Sequence, residues 1–436
     1  MPHPGLIRAA LAATLAGNAA TVLAQTPTEA ELARRLEQLA AEVAALKAQL
    51  ATLQQQRAGA APAAAAPSAP PPGAPPAATP AVGTDAARAQ PSTTLSGYAE
   101  INYNRPTRQT QNTQADLRRL VLGVQHRFDD KTKMVSEIEL EHAVTSADDA
   151  GEVALEQAYI ERQLNPTWAV RGGLFLMPLG LLNENHEPTA YYGVERNFVE
   201  TAIIPSTWRE GGVQVVGAFN NGITTQFGIS TGFDLTKWDA TSSEGQESPL
   251  GAVHQELAQS KARDIALFGA VNWRGIPGLL LGGGAFSGGA THGQAPSARV
   301  TLWDLHARWT PGRWDLSALY TRGTISNTAT LNAPLVGNPT LIPRSFDGAY
   351  VQAAYKVWQQ ADYTLSPFVR WEQFNTAKSF ADLGPGITPD ALPNERVLTA
   401  GANLQLTPGV VVKADVQRFK QNKDNNRVNL GLGWAF

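Results

Sequence analysis

The stretch RVNLGLGWAF, residues 427–436, places Val428, Leu430, Leu432, Trp434 and Phe436 at every second position. In an extended chain these five side chains share one face, because successive side chains alternate between the two sides of a strand. Arg427, Asn429, Gly431, Gly433 and Ala435 take the other face. One such strand fits the edge of a β-sandwich as well as the wall of a barrel. The strands before it, and the rhythm of their connections, decide between the two.

The same alternation predicts strands near 94–104, 115–128, 131–142, 152–163, 168–180, 211–220, 223–234, 262–274, 278–288, 298–310, 313–323, 346–358, 363–374, 395–406 and 409–420, and with 427–436 these make sixteen. Tight turns fall at 129–131, 165–167, 220–222, 275–278, 311–313, 359–362 and 407–409, and longer polar connections fill the alternate positions. A sandwich has no reason to segregate its loops in this way. An outer-membrane barrel does, with an even strand count, short periplasmic turns and longer external loops. The expected fold is therefore an all-β membrane barrel of sixteen antiparallel strands over residues 93–436. Its last strand returns to the periplasm and leaves Phe436 at the inner aromatic girdle.

Lipid contact asks for apolar side chains outside and polar ones inside. Trp303, Leu305, Ala307 and Trp309 alternate with Asp304, His306 and Arg308, while Leu398, Ala400, Ala402, Leu404 and Leu406 supply a second outward row. Glu137, Glu139 and Glu141 line another predicted inner wall, and Lys413, Asp415 and Gln417 a third. The 152–163 strand mixes polar and apolar residues on both faces, so its lumen side is not assigned. Sixteen strands enclose a lumen too wide for wall side chains to fill, so a loop must fold inward to set selectivity. The third external connection, LLNENHEPTAYYGVERNFVETAIIPSTWRE at 181–210, is the candidate, with charges set among Tyr191, Tyr192, Phe198 and Trp208. Arg196 and Arg209 from this loop, with Arg171, are the expected attractive groups for anions, and Glu195, Glu200 and Glu210 their counter-charges. The bland alternative makes Glu195–Arg196 and Arg209–Glu210 surface ion pairs.

Upstream, Arg8, the apolar AALAATLAG and the small residues VLA at 22–24 resemble a secretory signal, with cleavage expected after Ala24. Leu32, Leu36, Leu39, Val43, Leu46, Leu50 and Leu53 then recur at spacings of four and three, which predicts a coiled-coil helix within 25–57. Thr26, Pro27 and Glu29 form its expected N-terminal cap. Placing Leu36 at position a puts Glu42 at g and Lys47 at the following e, the pairing of parallel strands. Residues 58–92 are rich in Ala, Pro and Gly and read as an extended linker, because they bury too little to offset chain entropy.

The chain has no cysteine, which suits an oxidising compartment, and a formal charge of −3 that does not suit a nucleic-acid partner. No spacing suggests a metal site, a cofactor or a catalytic triad. The histidines His142, His186 and His306 could supply parts of a lipid hydrolase, but nothing places a nucleophile beside them. A cell-wall tether built on the coiled coil is the other alternative.

The segments LRRLVLGVQHRF 117–128, SEIELEHA 136–143, LEQAYIE 155–161, RGGLFLMPLGLLNENHEPTAYYGVERN 171–197 and IIPSTWREGG 203–212 resemble the phosphate-selective porin O and P family, in particular its coiled-coil-bearing dicarboxylate-type members. The resemblance implies a homotrimeric, non-enzymatic outer-membrane channel of a Gram-negative bacterium for small polar or anionic solutes such as phosphate or dicarboxylates. It also implies lipid and the barrel assembly machinery as partners, the latter reading a terminal aromatic such as Phe436. From residue 94 onward, 29 Lys and Arg face 33 Asp and Glu, so anion preference would have to come from local geometry.

Overall fold

The computed structural model describes residues 91–146, 148–294 and 296–436. The expected signal peptide, coiled coil and all but the last two residues of the linker lie outside the described residues. Ser92 already begins the first strand.

Seventeen strand segments follow in chain order. They are β1 (Ser92–Pro106), β2 (Gln114–Arg127), β3 (Thr132–Glu141), β4 (Glu152–Gln163), β5 (Trp168–Leu176), β6 (Arg209–Ala218), β7 (Ile223–Ser230), β8 (Ala266–Trp273) and β9 (Leu279–Gly289). β10 (Arg299–Trp309), β11 (Trp314–Ile325), β12 (Ser345–Tyr355), β13 (Trp358–Gln360), β14 (Tyr363–Ser379), β15 (Glu395–Thr407), β16 (Val410–Phe419) and β17 (Arg427–Ala435) complete the set. Segments β12 and β13 lie end to end against β14, so the wall has sixteen antiparallel positions. Each strand pairs with its sequence neighbours, and β17 returns to β1 in the register Tyr98↔Ala435 through Pro106↔Arg427. Phe436 extends this seam: its amide donates to the Gly97 carbonyl at 2.9 Å and its carbonyl accepts from the Gly97 amide at 3.1 Å. Closure leaves no sheet edge, which is what a lipid-facing sheet requires.

The outward row of β17 is exposed as its alternation predicts, at Val428, Leu430, Leu432 and Phe436, whereas Asn429 and Gly433 are buried inside. Leu305 is 61% exposed, Trp303 and Trp309 are also exposed, and Asp304 and His306 are buried between them. All sixteen sequence-predicted strands have counterparts within a few residues.

Of the four register shifts among the described strands, two shape the candidate site. On β2 the register steps from Glu100↔Arg119 to Ile101↔Leu117, leaving Arg118 as the extra residue. On β4 it steps from Glu137↔Gln157 to Ile138↔Leu155, leaving Glu156 unpaired. An extra residue reverses the facing of everything beyond it. This explains the mixed faces of β4: Leu155 and Ile160 both point outward although they are an odd number of positions, five, apart, and Glu156 is fully buried inside.

The interior is not uniformly polar, which corrects the simple inside-polar expectation. Phe286, Val300, Leu302, Leu319, Ile325 and Phe346 from β9–β12 form an apolar inner wall. Phe175 and the third-connection residues Met177, Leu179, Val199, Ile203, Ile204 and Trp208 pack against it, joined by Phe233, Leu235, Trp238, Leu250 and Val253 from or beside the β7–β8 connection. Trp208 stacks on Phe233 with ring centroids 5.0 Å apart and meets Phe286 edge-on at 4.9 Å. Each large side chain buried in this way contributes about 1.5–3 kcal/mol. One side of the lumen is therefore a packed core.

Candidate functional site: a charged cavity beside the inward loop

The third connection, 177–208, lies inside the barrel and is fixed to its walls by hydrogen bonds. Its backbone amides at Val194 and Phe198 donate to Asp415 Oδ2 and Glu372 Oε2, both at 2.6 Å. The Tyr191 hydroxyl donates to Glu100 Oε2 at 2.7 Å, and the Tyr191 and Tyr192 carbonyls accept from Asn403 Nδ2 and Arg370 Nη1 at 3.0 and 3.1 Å. Charged wall groups thus satisfy backbone that would otherwise be buried without partners. Close approach also needs small residues opposite. A Cβ at Gly433 would collide with Pro188, and one at Gly431 would press on Val194, so the inner-face glycines of the terminal strand are the seat of the loop.

Within the loop, Glu200 accepts from the Leu181 and Leu182 amides at 2.5 and 3.0 Å, from Asn197 Nδ2 at 2.8 Å and from the Tyr350 hydroxyl at 3.1 Å. Burial pushes its carboxyl above the usual range, against the hydrogen bonds from Asn197 and the two amides. His186 faces Glu156, Nε2 to Oε2 3.6 Å, and donates from Nδ1 to the Asn183 carbonyl at 2.8 Å. Burial opposes a charged imidazole there, but the Glu156 carboxylate outweighs it and raises the His186 pKa.

Between the loop and the β1–β4 wall lies a cavity of about 590 Å³. Its lining includes Arg118, Arg119, Arg196, Arg209 and Arg427 against Glu100, Glu139, Glu141, Glu152, Glu195 and Glu256, with His254. Arg119 bonds Glu100 and Glu139 at 2.9 Å each and lies 3.9 Å from Glu141, so one guanidinium from the neighbouring strand offsets part of the charge of the acid stripe. Arg196 has no carboxylate within ion-pair distance among the described residues. Its guanidinium donates to Ser206 Oγ at 2.5 Å, Thr207 Oγ1 at 2.9 Å and the His186 carbonyl at 3.2 Å. Arg209 pairs with Glu256 at 3.0 Å and donates to the Thr207 carbonyl at 3.3 Å. Thr207 has φ +54°, a strained value for a β-branched residue, and this conformation turns its hydroxyl to Arg196 and its carbonyl to Arg209.

The expected site residues separate into groups. Glu195, Arg196 and Arg209 line the cavity with Glu139 and Glu141, and Glu195 accepts from Asn104 Nδ2 at 2.8 Å. Neither Glu195–Arg196 nor Arg209–Glu210 forms an ion pair. Two of the expected counter-charges need correction: Glu200 is the internal staple described above, and the fully buried Glu210 accepts from Trp208 Nε1 at 3.0 Å and Thr231 Oγ1 at 2.5 Å. The backbone turns both into the packed side, away from the arginines. Arg171 is held by Glu161 at 2.6 Å and is not part of the cavity lining, and Glu137 accepts from Gln157 Nε2 at 2.6 Å. Asp304 bonds His306 at 2.6 Å, and Arg308 forms a two-pronged pair with Asp315 at 2.7 and 3.0 Å. Lys413 and Asp415 are wall residues, but the loop covers them: Lys413 is 2% exposed with Nζ 3.5 Å from the centroid of the Tyr191 ring. Sequence reading missed Arg118, Arg119, His254 and Glu256. The bulge that turns both adjacent arginines to the lumen leaves no mark in the alternation. Among the described residues no three His, Asp or Glu side chains converge as a metal-ligand set would.

A closed sixteen-position barrel, apolar outside, with its third connection folded inward, is the architecture of an outer-membrane porin. Two solved porin structures resemble it in overall fold. OmpF of Salmonella typhi, in complex with daunomycin, superposes with a TM-score of 0.55 at 13% identity, over 79% of this chain and 97% of that one. An anion-selective porin from Comamonas acidovorans gives 0.50 at 12% identity, over 80% and 100%. At such identities the likeness carries the fold alone. No protein-family profile matches the chain. An uncharacterized protein of Aquifex aeolicus (strain VF5) is 27% identical over 361 residues, spanning 80% of this chain and 81% of its own length.

Proposed function

We propose that the protein is an outer-membrane porin through which small polar, mainly anionic solutes diffuse passively, with no chemical step. The observation that carries this reading is Arg196: a buried, loop-borne guanidinium lining the cavity and held by hydroxyls and a carbonyl, with no carboxylate within ion-pair distance among the described residues. A charge in such a partly desolvated space acts on a passing ion more strongly than one in bulk water. The sequence segments at 117–212 support the finer assignment to phosphate-selective O and P-type porins, with phosphate or dicarboxylates as solutes. The same assignment makes the protein a homotrimer whose helix within 25–57 forms a periplasmic coiled coil.

Reversal potentials in planar bilayers under a KCl gradient test the selectivity. The wild-type channel should prefer chloride modestly, and Arg196→Ala together with Arg209→Ala should move the reversal potential toward potassium. Glu244→Gln and Glu247→Gln, in the β7–β8 connection, should change it little. At physiological salt the Debye length is about 8 Å, so distant external charges are screened. An unchanged potential in the double arginine variant would refute selectivity by this loop.

A further inference from the structure

The outer surface of the barrel differs from one side to the other. In the long-loop halves of β2–β9 the Lys and Arg residues are Arg118, Arg119 and Arg209, and all three line the internal cavity. From β10 round to β1, arginines stand on the outward face at that end. Arg299, Arg322, Arg396, Arg418 and Arg105 lie on β10, β11, β15, β16 and β1, and all five are exposed. Their strand neighbours fix the facing. Val300, Thr321 and Val397 are fully buried, which puts Arg299, Arg322 and Arg396 outside. Phe419 meets Phe198 of the inward loop with ring centroids 5.1 Å apart, and Asn104 bonds Glu195 at 2.8 Å, so Arg418 and Arg105 also point outward.

Their height is that of a membrane boundary. Arg299 and Trp309 are the two ends of β10, an 11-residue strand, and at a tilt of about 40° this separates them by about 25 Å along the barrel axis, the height of an outer-membrane apolar band. The exposed rings of Trp303, Tyr320, Trp371 and Tyr103 form a belt beneath the arginines, where β2–β9 present aliphatic side chains such as Val153, Leu155, Ile229 and Leu267. Among the described residues none of the five arginines has a carboxylate within ion-pair distance. Asp347, opposite Arg322 in the register, is taken by Lys378. Two of the five are diagonal neighbours: Arg418 is opposite Leu398, and Arg396 lies two residues further on, about 7–8 Å away. Arg396 Nε donates to Gln373 Oε1 at 2.8 Å, and its carbonyl accepts from the amide of the exposed Lys420 at 2.9 Å, which brings a third cation beside the pair.

Resting on the outer-membrane reading above but not on conduction, we propose that the external rim from β10 round to β1 is a docking surface for a phosphorylated, multiply acylated glycolipid of the outer leaflet, with Arg396 and Arg418 as the clamp for a phosphate group. Guanidinium groups bind phosphate through paired, charge-assisted hydrogen bonds, and the acyl chains lie along the apolar band below. Charge complementarity selects this occupant over a second copy of the chain. A second copy would have to bring carboxylates to this height, and Glu141, Glu152, Asp347 and Glu395 at the strand ends line the cavity, pair with Lys378 or cap the β16–β17 connection.

Native mass spectrometry of the full-length protein in mild detergent, titrated with lipid A or with dephosphorylated lipid A, tests the assignment. The wild type should hold lipid A roughly tenfold more tightly than the dephosphorylated form, and inorganic phosphate at the same concentration should not displace it. Arg396→Gln with Arg418→Gln should remove most of that preference. Arg127→Gln with Arg313→Gln, which takes the same charge from exposed positions at the short-turn end, should keep it. Equal binding of the two lipids by the wild type would overturn the proposal by reducing the contact to acyl chains, and this arm stands even if the double variant does not fold. A folded Arg396→Gln, Arg418→Gln protein with the full preference would overturn it too, as would displacement by inorganic phosphate. Loss of oligomers in that variant with lipid binding unchanged would assign the rim to a second copy. A barrel that prefers lipid A as expected but passes no ions supports the docking surface and refutes the channel reading alone.

Discussion

His186 and Glu156 meet because a bulge on β4 turns Glu156 into the lumen and the third connection lays an imidazole against it. The His186 pKa is raised, so the contact stabilises the seated loop fully below the unfolded value near 6.5 and loses that contribution as pH rises through the higher folded value. Loop seating should therefore weaken as pH rises through that higher value. Current noise and heat stability measured from pH 6 to 9 should show this in the wild type, and His186→Gln should flatten the dependence. A variant with the wild-type pH profile would remove His186 from the latch. At this scale the sequence is least legible. Arg196 and Arg209 stand out in the sequence, although Arg209 proves to open β6, but Glu256, remote in the chain, becomes the partner of Arg209 only through the tertiary fold, while the adjacent Glu210 turns away.

At the scale of elements, the strands were readable because lipid outside and a filled interior impose a period of two that no side chain can evade. Val428, Leu430 and Leu432 obey it, as do Trp303, Leu305 and Trp309. Arg118 and Glu156 do not, since a bulge is a backbone event set by the neighbouring strand. Gly431 and Gly433 carry a different message: their small size reports what packs on them. Gly433→Val should drive Pro188 off the terminal strand and destabilise the seated loop by about 1–3 kcal/mol. In bilayers the variant should show multiple conductance levels where the wild type shows one. A single unchanged level would mean that the loop can seat without this contact.

For the whole molecule, closure rests on the first and last strands, and the pair between Gly97 and Phe436 is its final rung at the short-turn end. The Phe436 ring is 66% exposed and lies over Gly97. Two roles are separable. Phe436→Asp keeps the backbone rung and removes the aromatic, whereas deletion of Phe436 removes both. If the assembly machinery reads the ring, both variants should lower the folded fraction in the outer membrane to a similar extent, with signal cleavage unchanged. Heat-modifiable electrophoretic mobility reports that fraction. Normal assembly of Phe436→Asp would leave only the backbone role.

The packed side of the lumen bears on engineering. Trimming an inward loop is the obvious way to turn a barrel into a wide sensing pore. Here that loop supplies Val199, Ile203, Ile204 and Trp208 to the same cluster as Phe286, Leu302 and Phe346 of the wall. Cutting it out would wet a greasy inner surface and would not open a clean conduit, so the excised barrel should dewet, collapse inward or bind detergent in its bore. A wider pore would come sooner from shaving the β1–β4 side, where water-compatible groups already line the path.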